Sequence, residues 1–183
     1  DPPPATPQTA AQKSETFVLE TNLYRIVFSN HGAVVRSWQL KQYRDGTGKP
    51  LELVNPAASK THYPLSLIFD SQKPSTDVNQ VLYSTRVTPD GLGVEFEFSN
   101  GKVSARKTLR FLRDSYLAQV TSEAPENNSG IPHMLAWRGG CGDRTVAAAA
   151  STQKTLYFDV SQNKLVENDV GVGKGGPSTV SGT

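Results

Sequence analysis

At 183 residues, with 19 Lys and Arg against 17 Asp and Glu, the chain suits one ordinary domain and carries a net charge of only +2. That balance excludes the concentrated basic face of a dedicated nucleic-acid or membrane-surface binder. The single cysteine, Cys141, excludes an intrachain disulfide framework and any cysteine-based zinc site. No run approaches the ~20 apolar residues of a membrane-crossing helix. The opening Asp1-Pro2-Pro3-Pro4 has no signal-peptide pattern and looks like the processed end of a longer protein.

Residues 1–14 contain no large apolar side chain and read as a semi-extended linker. From Phe17 the texture becomes β-branched and aromatic. Tyr24, Ile26 and Phe28 share one face of an extended run, with Leu23, Arg25 and Val27 on the other. His31-Gly32 breaks that run, and Ala33 to Gln42 resumes a strand carrying Trp38 and Leu40. A loop at 44–50 leads to a short strand at Leu51 to Val54, and further strands are expected at Tyr63 to Asp70 and Val81 to Val87. Next, Val94, Phe96 and Phe98 alternate with Glu95, Glu97 and Ser99. Asn100-Gly101 then predicts a two-residue turn that pairs Phe98 with Val103, Phe96 with Ala105 and Glu95 with Arg106. Lys107 falls on the apolar face of the returning strand, where it must snorkel or find a partner.

Later strands are expected at Tyr116 to Val120, Pro132 to Trp137 and Lys154 to Val160, with one weak helix candidate at Thr145 to Thr152. Residues 171–183 are small and polar, and read as a flexible segment. Many short strands without a helical period predict an all-β, antiparallel sandwich spanning residues 15–170.

The residues offer little catalytic chemistry. Gly171 to Gly176 spells GxGxxG, but no helix and no distal acidic residue follow it, so it reads as a loop. His31, His62 and His133 sit in or beside turns, without metal-ligand spacing. Glu95 and Glu97 share a strand face, where Arg106 and Ser104 make a solvated surface the simpler reading. Cys141 lacks a CxxC or a nucleophile elbow. Trp137-Arg138-Gly139-Gly140 places an aromatic ring and a guanidinium at a glycine-rich turn, which core packing explains as readily as ligand recognition. No residue is assigned a catalytic, cofactor-binding or metal-ligating role, and no cofactor is implied.

The order of several segments resembles the large periplasmic domain of YidC-type membrane protein insertases. The segments are Leu19 to Phe28, His31-Gly32, Trp38-Gln39-Leu40 with Tyr43, Gly48 to Val54, and Lys107 to Phe111 followed by Asp114-Ser115-Tyr116. The family's usual Gly-Gly pair is Gly32-Ala33 here. The resemblance implies a β-supersandwich of galactose-mutarotase-like architecture, open to truncation at its C-terminal end. It places this domain in the periplasm, with the parent protein in the bacterial inner membrane and residues 1–14 as a tether. It further implies a non-catalytic surface for Sec translocon accessory proteins and nascent membrane proteins, with no nucleic-acid partner. Two readings compete with it. An aldose-epimerase-like enzyme would set one of the three histidines against a carboxylate such as Glu95 or Asp143, and a carbohydrate- or peptide-binding sandwich would use Trp38 or Trp137.

Overall fold

The computed structural model describes residues 7–56, 62–137, 143–146, 154–159 and 162–169. Fourteen strands are present among them, every pairing is antiparallel, and no α-helix occurs. The first sheet holds β1 (Thr16–Glu20), β2 (Tyr24–Ser29), β3 (Val34–Arg44) and β4 (Pro50–Glu52) in that order. The second holds β6 (Ser84–Val87), β7 (Gly93–Ser99), β8 (Ser104–Phe111) and β9 (Ala118–Glu123). Three two-stranded pairs complete the set. β5 (Ser66–Ile68) joins β12 (Met134–Ala136), β10 (Pro125–Glu126) joins β11 (Ser129–Gly130), and β13 (Lys154–Asp159) joins β14 (Lys164–Asp169).

The period-two alternation builds the core. Tyr24, Ile26 and Phe28 are fully buried on β2, and Phe96, Ala105, Leu109 and Phe111 are buried on β7 and β8. Ring contacts join the two sheets face to face: Phe28 to Phe96 at 6.1 Å, Phe28 to Phe111 at 6.2 Å and Trp38 to Phe111 at 5.8 Å. Each such buried aromatic contributes about 1.5–3 kcal/mol relative to exposure. The fold is an antiparallel β-sandwich.

Several expectations are corrected. The extended run carrying Tyr24, Ile26 and Phe28 is β2, and ahead of it Thr21 Oγ1 accepts from the N–H groups of Leu23 and Tyr24 where β1 folds back on β2. The β7–β8 hairpin keeps its predicted faces, but the register differs by two residues. Phe98 lies opposite Ala105, Phe96 opposite Lys107, and Glu97, not Glu95, opposite Arg106. The loop is longer because Asn100 Oδ1 accepts from the N–H groups of both Lys102 and Val103. Val103 is thereby turned out of the ladder, buried, and bridged to Glu126. The strand β14 had no expected counterpart.

Part of the linker segment is bound to the sandwich. Thr9 exchanges two backbone hydrogen bonds with Ser99, and Ala11 N–H donates to Leu82 O. Asn30 takes hold of the next residues, donating from Nδ2 to Lys13 O and accepting from Glu15 N–H. The predicted helix at 145–152, apart from Thr145 and Val146, lies outside the described residues, as do 171–183.

Candidate functional site

The turn between β2 and β3 starts the site. Gly32 has φ +74°, and a Cβ there would stand 2.5 Å from Asn79 O, so both the conformation and the close approach require glycine. Ala33 follows at φ +50°, and Leu65, before β5, has φ +72°. These three left-handed residues present their carbonyl oxygens to one group. Lys107 Nζ, reaching across from β8, donates to Gly32 O at 2.8 Å, Ala33 O at 3.1 Å and Leu65 O at 2.7 Å. An ammonium has three protons and no lone pair, so three carbonyls satisfy it completely. Burial pushes the Lys107 pKa down to about 7, and the three acceptors oppose that fall by favouring the charged form. The Tyr83 ring lies 5.8 Å from the same nitrogen.

Asn79 fixes the adjoining wall. Its side-chain amide accepts from Leu67 N–H and donates to Leu67 O, both at 2.8 Å, standing in for a strand partner to β5. Over this frame open two neighbouring cavities that share His62 and Asn79. The smaller, about 200 Å³, is lined by His31, Arg36 and Tyr63 among others. The larger, about 500 Å³, is bordered by Ile68, Phe69, Lys73 and Asp77. The Arg36 guanidinium lies over the Tyr63 ring, 3.9 Å from its centroid. None of the ion pairs among the described residues involves Arg36.

The sequence candidates are distributed as follows. His31 and His62 meet at the smaller cavity. His31 Nε2 is 3.1 Å from Gln80 O, and since a carbonyl only accepts, that nitrogen carries the proton. His133 lines neither cavity. Its Nδ1 donates to Ile131 O at 2.8 Å, leaving Nε2, in the neutral ring, to accept from Ser122 Oγ at 2.9 Å. Sequence reasoning missed this serine–histidine contact, because nothing in the spacing of β9 and the 131–133 segment signals it.

The carboxylates are committed elsewhere. Glu95 pairs with Arg86, whose guanidinium holds the carboxyl below its usual range, and Glu97 pairs with Arg106. Asp143 accepts from the Thr145 hydroxyl and from Gly46 N–H, and its carboxyl is likewise lowered, chiefly by Thr145. The structure thus gives the carboxylates of the epimerase hypothesis other partners than histidine. Trp38 belongs to the core, with the partly buried Trp137 packed against it, ring centroids 5.7 Å apart. Cys141, Arg138 to Gly140 and Gly171 to Gly176 lie outside the described residues. No group of three or more potential metal ligands occurs among the described residues.

Comparison with known proteins gives a consistent family. The family model for the YidC periplasmic domain matches residues 16–166, the stretch that holds both sheets and the two cavities. The membrane protein insertase YidC of Syntrophus aciditrophicus (strain SB) is 29% identical over 198 aligned positions, covering 86% of this chain and 36% of its own length. That of Amoebophilus asiaticus (strain 5a2) is 32% identical over 72 residues, 39% of this chain and 11% of its own. The chain therefore spans about a third of the first relative and about a tenth of the second.

Proposed function

The chain belongs to the YidC periplasmic domain family, and on that premise we propose that it serves a membrane protein insertase as a non-catalytic interaction surface in the periplasm. Its partners are the periplasmic portions of Sec translocon accessory proteins and nascent membrane proteins, with the parent protein held in the inner membrane. The family match across residues 16–166 carries this reading. The carboxylates support it: Glu95 and Glu97 are neutralised by arginines across their own sheet, while the bonds of His31 and His133 go to backbone carbonyls and a serine and not to a carboxylate.

The test has two arms. Purified chain is mixed with the periplasmic portions of Sec accessory proteins and followed by sedimentation velocity, where a faster-moving complex is expected. In parallel it is assayed for aldose epimerisation. Turnover abolished by His31→Ala, His62→Ala or His133→Ala would replace this reading with the enzyme.

A further inference from the structure

We infer that the trough formed by the two cavities beside β5 is a docking groove for an extended, acidic segment of a partner polypeptide. This deepens the interaction-surface reading and rests on it. The first support is charge. Arg36 is half-buried in the smaller cavity, stacked on Tyr63, with no carboxylate partner among the described residues. The adjoining sequence, residues 57–61, contains no Asp or Glu. A guanidinium placed this way has its donors pre-oriented by the ring and loses little entropy when a carboxylate arrives.

Shape gives the second support. His31 and Arg36 line the smaller cavity, Lys73 the larger, and His62 both. A lone phosphate or carboxylate is gripped by donors converging on one point. Here the nitrogen groups are shared out over two adjoining cavities whose described lining holds one acid, Asp77, with its Oδ1 accepting from Asn79 N–H. Repeated acidic side chains on an extended backbone suit positive charge distributed in this way. The apolar surface of Ile68 and Phe69 in the larger cavity takes the aliphatic residues between them. Rigidity is the third. Lys107 and Asn79 fix the walls from beneath, so the groove is formed before the ligand arrives.

The test uses the whole 183-residue chain and two fluorescein-labelled dodecapeptides read by anisotropy. One alternates Glu with Leu, and the other replaces each Glu by Gln. The acidic peptide is expected to bind at least tenfold more tightly than its Gln counterpart. Arg36→Gln and, separately, the exposed Lys73→Gln should each weaken it, Arg36→Gln by tenfold or more. Arg86→Gln, on the outer face of the second sheet, should leave it unchanged. Thermal melting reports folding, and if Arg36→Gln fails to fold, Lys73→Gln decides. Equal binding of both peptides, or indifference to the groove variants, overturns the proposal. So does Arg36-dependent binding of phosphatidylglycerol vesicles without peptide binding. Capture of Sec portions that persists while the peptide fails removes the groove and leaves the broader reading standing.

Discussion

Lys107 sets the chemistry of the interior. Its ammonium holds carbonyls from two separate loops, and replacing it with methionine leaves three acceptors without their donor. Lys107→Met should cost about 2–4 kcal/mol in urea unfolding at pH 6.5. The pH dependence has a definite sign. Folded, the group gives up its proton around pH 7; unfolded, it keeps it to about 10.5. Between those values the unfolded chain binds more protons, so stability contributed by this group rises with pH across that window and is flat below it. Wild type should therefore gain stability relative to Lys107→Met between pH 6.5 and 9.5; parallel curves for the two would refute it. The β2–β3 turn yields a paired prediction. Gly32→Ala should cost about 1–3 kcal/mol, because its Cβ meets Asn79 O at 2.5 Å. Ala33→Gly, relieving a left-handed residue at φ +50°, should stay within about 1 kcal/mol of wild type. Equal costs at the two positions would be inconsistent with this geometry.

Among elements, the β7–β8 hairpin has its loop closed by one side chain. Asn100 Oδ1 closes the loop by accepting from two N–H groups, so Asn100→Ala should destabilise by about 1 kcal/mol, measured by chemical denaturation. No loss would mean that the loop is held by Gly101 and the flanking strands alone. This hairpin also shows what could be read in advance. Alternation at 94–98 and 105–111 assigned the faces, because apolar burial enforces a period of two. The register was illegible, since Asn-Gly signals a turn without stating its length, and the side-chain closure is invisible in residue order. A strand at 164–169 was missed because Lys, Glu, Asn and Asp dilute its β propensity. At the site, Lys107 announced itself as a cation on an apolar face. Its partners did not, because backbone carbonyls belong to every residue type. His31 and His62 meet only after β3 and the 63–66 turn have folded, which spacing along the chain does not encode.

For the whole molecule, the bonds made by residues 9–15 tie one end of the sandwich together. Thr9 holds Ser99 of the second sheet, and Lys13 and Glu15 are held by Asn30 just beyond the first. Deleting residues 1–14 should therefore lower the melting midpoint by roughly 2–8 °C, equivalent to about 1–2 kcal/mol in a chain of this size. An unchanged midpoint would show that these bonds only replace bonds to water.

The same attachment has a mechanical consequence. A pull applied to the chain ahead of Thr9 loads its two bonds to Ser99 first, then the single bond of Ala11, and only afterwards Asn30. Each is a small set of one or two bonds near the surface, anchored on the buried Ser99 and Asn30, and yields before a core strand sheared along its length. The segment is a reserve of leash. Peeling it back to Glu15 frees six residues, a contour of roughly 20 Å at about 3.3–3.6 Å per residue, without unfolding either sheet. In a single-molecule stretching experiment that release would appear as a first, low-force lengthening of at most that size, the contour less the span the bound segment already covers, ahead of the rupture of the sandwich.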